Sequence, residues 1–201
     1  MTGGRMIVVS APSGSGKGSV IGRLLSIRSG IALSVSHTSR PPRNNEIDGT
    51  HYHFISKLEF EAMIEAGGFV EWDAYQGDYY GTSKEQIGLP LGKGEDIIFD
   101  ITIKGAYAIR KSYPRAALVF LLPPSFEELE RRLRSRGTES DEKIKGRLAE
   151  ARREIRSLKS FDYYIVNEDI TDAAKQLEAV LIAEKSRVRD KEADEIINSY
   201  L

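Results

Sequence analysis

Cysteine is absent from the 201 residues, which excludes disulfides, thiolate metal sites and cysteine nucleophiles together. No apolar run approaches the ~20 residues of a membrane-spanning helix. The opening stretch, MTGGRMIVVSAPSG, has no secretory hydrophobic region of ordinary length, so a cytoplasmic protein without a membrane partner is expected. Neither sign of charge is in excess: 29 basic side chains face 30 acidic ones, a formal net charge of −1. Dedicated nucleic-acid binders carry a basic surplus, so no nucleic-acid partner is expected either. Internal repeats and low-complexity segments are also missing. What remains is an ordinary globular composition, and a length of about 1.3 typical domains, which predicts one compact domain with insertions.

Short apolar, β-branched runs at 6–10, 31–36, 96–101, 116–122 and 163–166 predict buried strands. Between them lie helical patterns at 17–27, 104–112, 125–135, 141–158 and 171–183. Alternation of this kind predicts an α/β fold, a parallel sheet covered on both faces. Residues 37–83 interrupt it with mixed strand and helix character and read as an insertion. Ser56 with Glu59, Ser83 with Gln86, and Ser125 with Glu128 have capping-box spacing. Phe54, Phe60, Phe69 and Trp72 are expected to form the core of this small lobe. Residues 125–160 are mostly charged helix, a candidate moving part, and the tail 186–201 shows no assigned element.

The first strand runs into Ala11-Pro12-Ser13-Gly14-Ser15-Gly16-Lys17-Gly18-Ser19, and a helix follows. A strand, a glycine turn and a lysine at a helix start form an anion nest: successive N–H groups and the helix N-terminus face phosphate, and the lysine reaches the β and γ phosphates. The pattern departs from G-x-x-x-x-G-K-[ST] at Ala11, a one-methyl change, and at Gly18, where a metal-binding hydroxyl would stand; Ser19 follows one place later. Mg²⁺ is therefore expected to be held largely by phosphates and water.

The phosphate loop is followed by Ser34-Val35-Ser36-His37-Thr38-Ser39-Arg40-Pro41-Pro42-Arg43, then Asp48-Gly49-x-x-Tyr52-x-Phe54, Phe69-Val70-Glu71-Trp72 and Tyr79-Tyr80-Gly81-Thr82. Further on come Pro123-Pro124-Ser125, Arg136-Gly137-Thr138-Glu139 and Ile165-Val166-Asn167. In this order, over about residues 5–183, the chain resembles guanylate kinase. The resemblance implies a three-layer P-loop core (about 1–36, 84–124 and 161–185), a small mixed α+β GMP-binding insertion (37–83) and a helical lid (125–160). It also implies ATP as phosphoryl donor, GMP or dGMP as acceptor, and Mg²⁺.

Chemistry read from the residues agrees. Arg40 and Arg43 flank a stiff Pro-Pro turn, and two guanidinium forks suit a monophosphate, with the Tyr52 and Tyr80 hydroxyls nearby. A carboxylate such as Glu71 can accept from both N1–H and the 2-amino group of guanine, whereas adenine offers neither donor there. The resemblance places Glu71 on that edge, with Ser36 and Thr82 near the base. It puts Arg132, Arg136 and Arg147 over the triphosphate and Asn167 near the donor adenine. Asp100 ends a strand at the edge where ligands gather; the resemblance sets it near acceptor and metal. Where the family follows with a second acid and a glutamine, this chain has Thr102 and Lys104. No direct protein ligand to Mg²⁺ is expected, Ser19 and Asp100 being candidates through water. Judged without the resemblance, the lid arginines read as a solvated face, with 11 basic and 8 acidic residues between 127 and 159. Two other readings stand beside the kinase: a silent, protein-binding module of similar fold, and a P-loop kinase with another acceptor, such as a phosphorylated sugar. The sequence leaves a homo-oligomer open.

Overall fold

A computed structural model describes residues 4–75, 77–135, 140–188 and 190–201. Five strands, β1 (Met6–Ser10), β2 (Ile31–Ser34), β7 (Asp96–Asp100), β8 (Ala117–Leu122) and β9 (Tyr163–Val166), form a parallel sheet in the order β2-β7-β1-β8-β9. Because both faces of the central strands are covered, their middle residues are apolar on both faces instead of alternating. Ile7 and Val9 face one layer, made by α1 (Lys17–Ile27) and α7 (Ile170–Ser186) through Val20, Leu24, Ala174, Leu177 and Leu181. Val8 faces the other layer with Ile97 and Phe99, under α3 (Lys84–Gly92) and α4 (Ile103–Ser112) through Ile87, Ala106 and Ile109. The expected three-layer α/β core is therefore present.

The interruption after β2 builds a second sheet, β4-β3-β6-β5, from β3 (His37–Thr38), β4 (His53–Phe54), β5 (Phe69–Tyr75) and β6 (Asp78–Ser83), with α2 (Lys57–Glu65) beside it. Ser56 and Glu59 complete a reciprocal capping box at α2. Phe60 is fully buried and stacks on Phe69 at 4.3 Å and on Tyr79 at 5.2 Å. Trp72, expected in that core, is instead 44% exposed. A register shift between Phe69 and Glu71 turns Glu71 towards Thr82 and leaves Phe69 and Trp72 on the face of the aromatic cluster, with Trp72 at its rim, edge-on to Tyr79 at 5.8 Å.

The charged segment forms α5 (Phe126–Ser135) and α6 (Asp141–Ile155), joined by a small core of Leu129, Leu133, Ile144, Leu148 and Ala151. The helix read through 158 stops at Ile155 and tightens into a 3₁₀ turn, Arg156–Ser160. The tail carries an unforeseen helix, α8 (Asp190–Tyr200). Two of the three capping boxes are only half made. Ser83 accepts from Gln86 N, but the Gln86 amide bonds His53 Nε2; Ser125 accepts from Glu128 N, but the Glu128 carboxylate holds Arg131 and Arg132. Among the described residues no helix is long and apolar enough to cross a membrane.

Candidate active site

The site opens at the carboxyl ends of the parallel strands. After β1 the chain folds through a turn in which Ser15 N donates to the Pro12 carbonyl at 3.1 Å, with Gly14 at φ 96° and Gly16 at φ 87°. No side chain caps α1 at Gly16, so its first N–H groups face the turn's concavity as an anion site requires. Gly16 is fixed twice over: its φ is positive, and a Cβ there would lie 2.4 Å from Asn167 Nδ2. Ala11, the one-methyl departure, packs against the core on the α1 side.

Lys17 reaches across to β7, where Nζ lies 2.7 Å from Asp100 Oδ1 and donates to the Ile101 carbonyl at 2.7 Å. Lys17 and Asp100, which the sequence assigned separately to donor and acceptor, thus stand together. Gly18 and Ser19 are exposed on the first turn of α1. A Cβ at Gly18 would sit 3.9 Å from Asp100 Oδ2, and Ser19 lines a cavity of about 460 Å³ with Gly14, Gly16, Arg132, Asn167 and Ile170. Among the described residues no group of three or more His, Asp or Glu could hold a metal. One carboxylate and one hydroxyl beside a phosphate turn nevertheless suit Mg²⁺, which keeps water and takes phosphate oxygens.

Helices α5 and α6 lie over this turn. Leu129 and Leu133 approach Gly14. Arg147 Nη1 donates to Ser13 Oγ at 3.0 Å, and Arg132 Nη2 donates to the Asn167 carbonyl at 3.1 Å. Arg132 is steadied by Glu128, 2.7 Å from its Nε; bonds from Arg131 and Arg132 hold the Glu128 carboxyl at about 2. Arg136, with Gly137, Thr138 and Glu139, lies outside the described residues. Asn167 is buried, and its Nδ2 donates to the Ser15 carbonyl at 2.8 Å; its side chain supports the phosphate turn from beneath.

In the second lobe Thr82, fully buried, donates from Oγ1 to Glu71 Oε1 at 2.7 Å. The other oxygen of Glu71 abuts the first turn of α4, close enough that a Cβ at Gly105 would come within 2.9 Å of it. Burial pushes the Glu71 carboxyl up, the Thr82 bond opposing. Thr102 caps α4 by accepting from Gly105 N, and exposed Lys104 bonds Asp73 Oδ1 at 2.6 Å; of the two departures from the family pattern, one caps a core helix and the other ties that helix to the lobe. Ser36 lies at the lobe's entry, its carbonyl accepting from His53 N.

Arg40 lies over the Tyr52 ring at 5.2 Å, and Tyr52 meets Tyr80 edge-on at 5.9 Å. Burial pushes the Tyr52 phenol up. Arg40 is gripped by Glu46, with two contacts of 2.6 Å, and Arg43 N donates to the same carboxylate at 2.8 Å. Arg43 itself is exposed on a cavity with Asn44, Asn45 and Glu46. Sequence reasoning passed over Glu46 and the pairing role of Glu128. The first was signalled only by a lone acid three residues after Arg43, the second by its i,i+3 and i,i+4 spacing to arginines. His51 Nδ1 accepts from Ile47 N, and His53 stacks on His37 at 4.7 Å.

A central parallel strand ending in an uncapped phosphate turn, with a second lobe and a helical cover at the same edge, is the architecture of a P-loop phosphotransferase. Comparison with known proteins narrows the class. The family model described as guanylate kinase matches residues 3–184. A guanylate kinase of Symbiobacterium thermophilum is 48% identical over 92% of this chain and 87% of its own length, and one of Clostridioides difficile is 44% identical over 92% and 90%. The crystal structure of guanylate kinase from Anaplasma phagocytophilum superposes with a TM-score of 0.77 at 30% identity, covering 93% of this chain and 89% of its own. The chain belongs to the guanylate kinase family. It is an enzyme, a kinase, and the reaction known for the family is phosphorylation of GMP by ATP.

Proposed function

We propose that this chain transfers the γ-phosphoryl group of ATP to GMP and to dGMP, with Mg²⁺, and that the residues above divide the work as follows. Ala11–Ser19 cradle the donor phosphates by main-chain N–H groups, and Lys17 leaves Asp100 to meet the β and γ phosphates. Arg132, Arg136 and Arg147 neutralise the γ-phosphoryl from the lid, and Asn167 lies on the donor side. Ser36, Glu71 and Thr82 hold guanine; Arg40, Arg43, Tyr52 and Tyr80 hold its phosphate; Asp100 stands between the two nucleotides. The core is then 1–36, 84–124 and 161–185, the acceptor lobe 37–83 and the lid 125–160. Mg²⁺ would sit by Ser19 and Asp100, mostly through water, and when bound it neutralises phosphate charge.

The acceptor phosphate is already an anion, so transfer needs no general base; alignment and charge neutralisation carry catalysis. A lid seated on the phosphate turn excludes water that would otherwise hydrolyse ATP. The observation that supports guanine as the base is the inward Glu71 carboxylate, one oxygen on Thr82 and the other at the start of α4. A paired hydroxyl and carboxylate complement a base edge with two donors, and adenine would leave them unpaired. An ADP-release assay with GMP, dGMP, AMP and IMP tests the reading. GMP and dGMP should turn over, IMP poorly for lack of the 2-amino group, and AMP hardly; equal turnover of AMP and GMP would overturn it.

A further inference from the structure

Arginine carries five N–H groups, and for Arg40 three are committed inside the protein. Nη1 donates to Glu46 Oε2 at 2.6 Å and to the Pro41 carbonyl at 2.9 Å, and Nη2 donates to Glu46 Oε1 at 2.6 Å. The Nε–H and the second Nη2–H remain, side by side on the adjacent edge of the plane, and the Tyr80 hydroxyl also interacts with this guanidinium. Two parallel N–H groups on one edge are a complete bidentate fork for a phosphate. The plane that carries them is fixed from a second direction by the rings of Tyr52 at 5.2 Å and Phe54 at 5.6 Å.

Glu46 is well placed to set this geometry. Its Oε2 also accepts from Arg43 N at 2.8 Å, so one carboxylate ties both arginines of the Pro-Pro turn. Bonds from Arg40 and Arg43 hold its carboxyl at about 2, so the tie persists across the neutral range. The charges of the trio sum to +1, which leaves the fork less attractive to stray anions than two bare arginines.

We propose that Glu46 is a positioning residue for the acceptor phosphate. It stays on the Nη1–Nη2 edge of Arg40 through turnover and turns the Nε–Nη2 edge towards the phosphate. The inference rests on the reading that Arg40 holds that phosphate. A carboxylate on the same guanidinium could act in the opposite sense, as an internal competitor that phosphate must displace, and the two roles predict opposite signs.

The experiment measures KM for GMP and for ATP, and kcat, in Glu46→Gln, Glu46→Asp, Arg40→Ala and the double variant Arg40→Ala/Glu46→Gln, with the melting temperature of each. Glu46→Gln keeps the size and an acceptor for Arg43 N but loses the charge and one half of the fork. Expected is a rise of about tenfold or more in KM for GMP, with KM for ATP within twofold, and partial recovery in Glu46→Asp. In the Arg40→Ala background the further effect of Glu46→Gln on KM for GMP should vanish, as it must for a residue acting through Arg40; a merely structural loop residue would still harm binding there. A lower KM for GMP in Glu46→Gln would make Glu46 a competitor and overturn the proposal. So would equal losses for both substrates, or an undiminished effect in the double variant. If Arg40→Ala leaves KM for GMP unchanged, the assignment of Arg40 to the acceptor phosphate falls instead.

Discussion

Glu71→Gln removes charge from the proposed acceptor pocket with almost no change of shape, and the geometry around Glu71 sets the size of the effect. The carboxylate spends Oε1 on the Thr82 hydroxyl and keeps Oε2 at the start of α4. Guanine presents two donors, so glutamine, with one acceptor and one donor, loses a charge-assisted bond worth about 1.5–3 kcal/mol and sets its own N–H₂ against a donor for about 1–3 more. The sum is about 4 kcal/mol, or ~10³ in kcat/KM for GMP. For AMP the change runs the other way, because the new amide can donate to adenine N1. A pH profile adds a second signature. Burial raises the Glu71 carboxyl above its ordinary 4.5, and guanine needs the ionised form, so kcat/KM for GMP should fall as pH drops through that raised value. Glu46 and Glu128 lie at about 2 and cannot produce this limb; in Glu71→Gln it should disappear. The linkage to stability has the opposite sign. The folded protein binds the Glu71 proton more tightly than the unfolded chain, so this group's contribution is fullest below 4.5 and is lost as pH rises through the folded value. The assay is ADP release with GMP and AMP between pH 4.5 and 8. A GMP loss under tenfold, or an unchanged GMP-to-AMP ratio, refutes the base assignment.

Lys17→Met removes the cation proposed to meet the transferred group and should lower kcat by about 10²–10³, with KM for GMP within threefold; a kcat within tenfold of the parent would contradict that role. Asn167→Ala leaves the Ser15 carbonyl without its 2.8 Å partner and should cost about 1–3 kcal/mol in urea unfolding, raising KM for ATP and not for GMP; equal effects on both would show that Asn167 does not act through the phosphate turn. Chelation of Mg²⁺ should abolish transfer while calorimetric GMP affinity persists, because the acceptor pocket as proposed consists of arginine, tyrosine and a buried carboxylate and no metal; loss of GMP binding would place the ion in that pocket.

The parallel core was legible because its strands are apolar on both faces and its helices show a single seam, so period and layer are encoded locally. The phosphate turn was legible for a similar reason: Gly14, Gly16 and Lys17 act through backbone and helix geometry contained within nine residues. β6 was less so. Asp78–Ser83 carries polar, aromatic and glycine residues whose places are set by β3 and β5 on either side. Trp72 was misplaced for another reason: a one-residue register shift, invisible to a period-two count, puts it on the same face as Phe69, but at the rim of the cluster beside Tyr79, where it stays 44% exposed. The α8 helix escaped because its few apolar residues, Ile196, Ile197 and Tyr200, cluster at its end and stay exposed, so no repeating seam announces it.

The site's cations were legible as residue types and their restraints were not, because each restraint depends on where the fold or a loop brings a carboxylate. Lys17 meets Asp100 from 83 residues away, Arg40 meets Glu46 across a proline turn, and Arg132 meets Glu128 along one helix. A cleft that must gather several cations for two phosphorylated substrates would repel itself when empty, and pairing each with an internal carboxylate removes that cost. The three pairs then differ in what binding demands. Lys17 has a single ammonium and must turn from Asp100 to reach phosphate. A guanidinium has two bidentate edges, so Arg40 can hold Glu46 on one and receive phosphate on the other, whereas Arg132 already spends Nε on Glu128 and Nη2 on the Asn167 carbonyl. Lysine at 17 and arginine at 40 are therefore not interchangeable here. An Arg40→Lys change keeps the charge but forces the side chain to choose between Glu46 and the acceptor, and its KM for GMP should approach that of Arg40→Ala.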